Sequence, residues 1–223
     1  MAGVKAGVVV FPGSNCDHDV YNVLKHIMNV DTEFLWHKEQ SIGDRNLIIL
    51  PGGFSFGDYL RCGAAAKFSP VMDEVIKFAN NGGVVIGICN GFQVLCETGL
   101  LPGVLLRNEN LKFVCKTVTL KVENNKSIFT GNYEIKEMIN IPVAHGEGNY
   151  YCDSNTHMEL IGNNQILFRY TDNPNGSLDD IAGIQNLNRN IFGMMPHPER
   201  ASENILGNTD GYRFFKSVVE SIQ

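Results

Sequence analysis

The chain has 223 residues, 43% apolar and 19% charged, enough to bury one large core or two small ones. Its formal charge of −6 offers no basic surface to a nucleic-acid backbone. No stretch approaches the roughly 18 uninterrupted apolar residues of a membrane span, so neither a nucleic acid nor a membrane is expected as a partner.

Met1 to Phe11 carries one lysine and runs straight into Pro12-Gly13-Ser14-Asn15, with no small-residue cleavage pattern. It reads as a first buried strand, Val4 to Phe11, and not as a signal peptide. Asp17 to Met28 sets Val20, Val23, Leu24 and Ile27 on one helical face. Phe34 to His37 and Leu47 to Leu50 read as the second and third strands. Val71 to Phe78 repeats its apolar residues at helical spacing, and Asn81-Gly82-Gly83 stops it. Val84 to Ile88 is a fourth strand, followed by a helix from Phe92 to Glu97. Strands alternating with helices imply βαβ units and a parallel sheet.

The second half is richer in strand. Phe113 to Val122 and Glu134 to Val143 alternate apolar and polar residues. Ile166 to Tyr170 and Ala182 to Gln185 are shorter candidates, and the turn Asn186–Asn190 leads into Ile191 to Met195. Gly211 to Ile222 is a last helix. No repeat, low-complexity tract or linker interrupts the chain, so residues 1–223 are read as one domain: a parallel sheet with an antiparallel excursion in its second half.

Six cysteines, Cys16, Cys62, Cys89, Cys96, Cys115 and Cys152, stand at irregular spacing with no C-x-x-C pair. A metal site or disulfide framework would cluster them. The expectation is a reducing, cytoplasmic setting, mostly buried free thiols and no metal.

One of these thiols sits in Gly87-Ile88-Cys89-Asn90-Gly91, where an apolar strand turns into a helix. A nucleophile flanked by glycines at such a turn takes a strained backbone and is pushed off the carboxyl edge of the sheet. The following helix points its N-terminus at the thiol and favours the thiolate. The Asn90 N–H can face a developing oxyanion. The competing explanation is a buried structural cysteine with ordinary turn glycines.

A cysteine nucleophile needs a base, and the histidines are His18, His26, His37, His145, His157 and His197. His26 and His37 fall in regular structure as partly exposed side chains, and His157 in a polar loop. His197 ends an apolar strand in Met195-Pro196-His197-Pro198-Glu199-Arg200, stiffened by a proline on each side. In an extended segment residues i and i+2 point the same way, so Glu199 can accept the imidazole N–H and orient the ring. A rigid surface loop with a chance pair is the alternative. After the third strand comes Pro51-Gly52-Gly53-Phe54-Ser55-Phe56-Gly57-Asp58. Its glycines let the backbone approach a ligand, with the Gly53 N–H as a second oxyanion donor. No G-K dipeptide supports a phosphate-binding loop of the Walker type, and no G-x-G-x-x-G follows a strand.

Gly87-Ile88-Cys89-Asn90-Gly91-Phe92-Gln93 with a distant His-Pro-Glu resembles the class I glutamine amidotransferases. Within them, Phe11–Asp17, Leu50–Ala66, Gly99–Gly103, Pro142–Tyr151 and Met194–Arg200 resemble the small glutaminase subunits of phosphoribosylformylglycinamidine synthases. The resemblance spans nearly the whole chain. It implies an α/β, flavodoxin-like open sheet, mostly parallel and flanked by helices. It implies that Cys89, His197 and Glu199 hydrolyse glutamine through a thioester, with the Gly53 and Asn90 amides on the oxyanion. Gln93 and the backbone of Ala144, His145, Gly146 and Glu147 match positions that contact glutamine in relatives. His145 either touches glutamine or orders its loop. The resemblance further implies no cofactor in this subunit, ATP and Mg used by a separate synthetase subunit, and a small bridging subunit as a third partner. Three rivals stand beside it: a glutaminase feeding another pathway, a cysteine hydrolase with the same elbow, and a non-enzymatic module of flavodoxin-like shape.

Overall fold

Valine- and isoleucine-rich runs without polar alternation become the interior strands of one sheet, where both faces are covered. A computed structural model describes residues 3–58 and 61–223. Met1 and Ala2, at the start of the segment read as the first strand, lie outside the described residues, as do Tyr59 and Leu60 within the Leu50–Ala66 motif.

The sheet is built from β1 (Lys5–Val10), β2 (Asp31–Trp36), β3 (Leu47–Leu50), β4 (Val84–Ile88), β6 (Val114–Val122), β7 (Met138–His145), β9 (Ile166–Tyr170), β10 (Ile181–Gln185) and β11 (Ile191–Met194). Their order is β2-β1-β3-β4-β11-β10-β9-β6-β7. The five from β2 to β11 are parallel and the remaining four antiparallel. The expected mostly parallel sheet with an antiparallel excursion is what forms. A separate ribbon pairs β5 (Val104–Leu106) with β8 (Asn149–Tyr151), two short strands that the sequence pattern did not reveal.

The helices are α1 (Asp17–Tyr21), α2 (Pro70–Asn80), α3 (Asn90–Glu97), α4 (Ser154–Gly162) and α5 (Tyr212–Ile222). The helix expected over Asp17 to Met28 changes pitch: α1 runs into wider turns over Asn22–Ile27, closed by the Met28 N–H on the Val23 carbonyl at 3.0 Å. Its apolar face still buries Val20, Val23 and Leu24. On α5, Phe214 packs at a tilt of 43° against Phe192 of β11, which in turn stacks on Phe129.

Four expectations need correction. The strand expected over Phe34 to His37 begins at Asp31 and ends at Trp36. His37 is buried rather than partly exposed, with its Nδ1 3.3 Å from Ser69 Oγ and its ring edge-on to Phe56. The strand expected over Glu134 to Val143 is Met138–His145. His157 lies in α4 and not in a loop, and its Nε2 meets Asp179 at 2.8 Å. No helix among the described residues is long and apolar enough to cross a membrane.

Register decides where the chemistry gathers. β4 lies between β3 and β11, with Gly87 opposite Leu50 and Ile88 opposite Met194. The segments after β3, β4 and β11 therefore leave the sheet side by side at one carboxyl edge, where open α/β sheets place ligands.

Candidate active site

Cys89 stands between β4 and α3 with φ 50° and ψ −105°, a conformation that side chains other than glycine rarely hold. The turn closes tightly because the flanking residues lack side chains. A Cβ on Gly91 would stand 1.9 Å from the Leu50 carbonyl oxygen, and one on Gly87 2.6 Å from the Gly91 backbone. The Cys89 N–H donates to the Met194 carbonyl at 2.7 Å and ties the elbow to β11. The strained elbow expected from the glycine pattern is present. Asn90 opens α3, so its N–H is among the donors that a helix leaves without an internal acceptor.

His197 follows β11, and its N–H donates to the Pro142 carbonyl on β7 at 2.8 Å. Its ring is buried with the Glu199 carboxylate, and His197 Nδ1 lies 2.6 Å from Glu199 Oε1. The expected pair forms, by a different route. Pro198–Ala201 is a 3₁₀ turn, not an extended segment, and the turn brings the carboxylate back onto the imidazole. Burial acts against the imidazolium. The Glu199 carboxylate, the Cys89 charge and the neighbouring thiols outweigh it and hold the His197 pKa well above its ordinary value. His197 Nε2 has no hydrogen-bond partner among the described residues.

Gly52 shows how close the groups are. A Cβ there would meet His197 Cε1 at 2.7 Å, Cys16 Sγ at 3.2 Å and Cys89 Cβ at 3.4 Å. Gly53 beside it has φ 137° and bridges to Ser14. Its N–H donates to no acceptor among the described residues. A cavity of about 200 Å³ opens here, lined by Cys16, Gly53, Phe54, Phe113, Ala144 and His197. Cys89 Sγ is 3.8 Å from the Ala144 carbonyl oxygen.

Cys16 is the residue that sequence reasoning passed over. In the sequence it is one of six scattered cysteines and part of Phe11–Asp17, with nothing to mark a role. Its buried sulfur receives an Arg200 guanidinium N–H at 3.0 Å, and Asp19 anchors that arginine at 3.1 Å. Burial pushes the thiol pKa up, against the pull of His197. Cys16, His197 and Glu199 hold donor atoms within 4.8 Å of one another, a spacing that a cation could use. Arg200 on the sulfur and Glu199 on the imidazole suit a proton-handling group better.

Gln93, expected to contact substrate, spends part of its amide internally. Its Oε1 accepts from Asn90 Nδ2 at 2.9 Å, and its Nε2 donates to the Glu147 carbonyl at 2.6 Å. The 144–147 segment is thus strapped to the first turn of α3. His145 is buried, and its Nδ1 lies 3.0 Å from Asn108 Oδ1. Asn108 Nδ2 donates to the Lys112 and His145 carbonyls, so its oxygen faces the ring and the imidazole proton sits on Nδ1. Gly148 N–H also donates to Asn108 Oδ1, and Asn175 Nδ2 donates to the Gly148 carbonyl. Of the two readings of His145, this network favours ordering of the loop. Asn108 and Asn175 carried no signal in the sequence beyond being polar residues in loops.

Burial, helped by the charge on His197, lowers the His145 pKa to about 4. The unfolded chain holds this proton near the ordinary value of about 6.5. As pH falls from about 6.5 toward 4 the unfolded state gains the proton first, and stability drops by up to about 1.4 kcal/mol per pH unit. Denaturant unfolding at pH 5 and pH 7 is expected to show a smaller acid loss for His145→Gln than for the parent chain. An unchanged difference between the two pH values would contradict a neutral buried His145.

Residues 3–213 match the CobB/CobQ-like glutamine amidotransferase domain. The chain resembles the PurLQS structure from Thermotoga maritima at 44% identity, 100% coverage of both chains and a TM-score of 0.90. It shares its fold with the acivicin-bound glutaminase domain of Trypanosoma brucei CTPS at 14% identity, 98% and 94% coverage and a TM-score of 0.61. A glutamine amidotransferase of Thermotoga maritima has the same fold at 14% identity, 100% and 95% coverage and a TM-score of 0.59.

Proposed function

The chain belongs to the CobB/CobQ-like glutamine amidotransferase family, and we propose that it is the glutaminase subunit of a phosphoribosylformylglycinamidine synthase. The observation that carries this reading is a strained Cys89 elbow beside a His197 oriented by Glu199. Full-length similarity to PurLQS selects the synthase among glutamine-dependent enzymes.

Cys89 Sγ attacks the side-chain carboxamide carbon of glutamine, and His197 Nε2 takes the thiol proton. The carbonyl oxygen becomes an oxyanion held by the Gly53 and Asn90 N–H groups. His197 returns its proton to the departing nitrogen, ammonia leaves, and a thioester remains. Water, deprotonated by His197, then attacks the thioester and releases glutamate with the thiol restored. Glu199 accepts a hydrogen bond from the Nδ1–H throughout and stabilises the imidazolium. Gln93 and the 144–147 backbone bind the amino-acid end of glutamine.

Ammonia passes to a separate synthetase subunit, joined through a small bridging subunit. That synthetase uses ATP and Mg²⁺ to convert formylglycinamide ribonucleotide to formylglycinamidine ribonucleotide. This chain needs no metal or cofactor of its own, and it acts in the cytoplasm. Reconstitution with the two partner subunits tests the assignment. Glutamine is expected to support ATP-dependent amidation only when this chain is present, with one glutamate released per amidine formed. Ammonium salts should support the synthetase without it. Amidation from glutamine at the same rate in its absence would overturn the assignment.

A further inference from the structure

The segment that carries the Gly53 N–H is an awkward piece of backbone. Phe56, Gly57 and Asp58 follow one another at φ 55°, 72° and 53°. Three successive left-handed residues persist only where the surroundings hold them. On one side the Pro12–Ser14 turn does so: the Phe54 N–H donates to the Gly13 carbonyl at 3.1 Å, and the Phe56 N–H to the Pro12 carbonyl at 2.6 Å. On the other side the Asn90 side chain supplies the polar anchor among the described residues. Asn90 Oδ1 accepts both the Ser55 hydroxyl at 2.5 Å and the Ser55 N–H at 3.3 Å. Both residues are only 2% exposed, so no water substitutes easily for either.

The other end of the same amide is also committed. Asn90 Nδ2 donates to Gln93 Oε1 at 2.9 Å and to Asp58 Oδ1 at 3.3 Å. Gln93 then reaches the Glu147 carbonyl. Two donors on one end and two acceptors on the other fix which way the carboxamide points. They also keep it from turning toward a substrate.

We infer that the Asn90 side chain and the Ser55 hydroxyl form a positioning pair that holds the two oxyanion donors at a set separation. The Asn90 N–H rides on the rigid start of α3, while the Gly53 N–H rides on a strained loop. The carboxamide ties that loop to the helix that bears the first donor. An oxyanion hole loses its effect when a donor drifts from the developing charge. Removing the tie therefore weakens the tetrahedral state more than it weakens glutamine binding.

This inference rests on the glutaminase reading, and the test separates the two. Ser55→Ala in the full chain is compared with the parent in the same subunit mixture. Three quantities are read: kcat and KM for glutamine, the affinity of glutamate γ-semialdehyde, and the rate of Cys89 alkylation by iodoacetamide. The aldehyde forms a thiohemiacetal whose oxygen occupies the hole, whereas alkylation forms no oxyanion. Ser55→Ala is expected to lower kcat and aldehyde affinity about 10-fold or more, with KM and alkylation rate within about twofold. Ser55→Thr restores the hydroxyl and recovers most of the loss. Asn90→Leu, which also releases Gln93 and Asp58, is expected to lower kcat and aldehyde affinity further still. Unchanged kcat and aldehyde affinity would overturn the proposal. So would a fall in kcat matched by KM, alkylation and melting temperature, which marks a merely structural role. A parent chain that neither hydrolyses glutamine nor binds the aldehyde in any mixture would instead remove the glutaminase reading, and this inference with it.

Discussion

Cys89→Ala is expected to lower glutamine hydrolysis by at least about 10³-fold, equivalent to roughly 4 kcal/mol of transition-state stabilisation. No neighbouring thiol can take its place. Cys16 is the nearest candidate, but burial holds it as a thiol and Arg200 occupies its sulfur. It also lacks the strained elbow of Cys89, holding φ −106° where Cys89 holds 50°. Intact mass after treatment with a glutamine-mimicking diazoketone provides a direct readout. One adduct per chain is expected on the Cys89 peptide, prevented by excess glutamine and absent from the alanine variant. An adduct that persists in Cys89→Ala, or that glutamine does not prevent, would place the nucleophile elsewhere.

The second large effect belongs to Glu199. Glu199→Gln keeps the shape beside His197 Nδ1 and removes the charge that raises the imidazole pKa. A loss in kcat of about 10²–10⁴ is expected, by analogy with removal of the orienting carboxylate from other triads. The pH dependence gives a second, independent sign. In the parent chain the imidazolium survives to higher pH, so the acidic limb of kcat/KM, where His197 must be free of its proton to act as base, lies high; the variant moves it to lower pH. Stability follows the same linkage. The raised His197 pKa contributes stability that is fully present below the unfolded value of about 6.5 and is lost as pH rises through the folded value. Glu199→Gln should therefore flatten the decline in unfolding free energy on the alkaline side. A variant with unchanged kcat and an unchanged acidic limb would show that the pair does not orient the base.

Much of the fold was readable because burial writes itself into composition. The strands β1, β3, β4 and β11 are covered on both faces and appear as unbroken apolar runs. The helix α4 was missed for the opposite reason: Leu160 is its only buried residue, and Met158 and Ile161 face outward. Its start signal was nevertheless present, since Asp153 accepts the Asn155 and Thr156 N–H groups. His37 was misread because nothing local records that Phe56 and Ser69 would close over it.

The site divides along the same line. Cys89 between its glycines, and Glu199 two residues from His197, are short-range patterns, so the chain by itself determined the elbow and the His197–Glu199 pair. Local geometry was enough there because the residues that constrain one another are neighbours in sequence. Which strands adjoin was not a local matter. Only the tertiary structure decided that β11 lies against β4, with Met194 opposite Ile88, and so brought His197 to the thiol. The same holds for Cys16 beside His197, for Ser55 on the Asn90 carboxamide and for Asn108 under His145. Each pairs groups far apart in the chain, and a polar side chain carries no sequence mark of its partner until strand register and burial leave it only one.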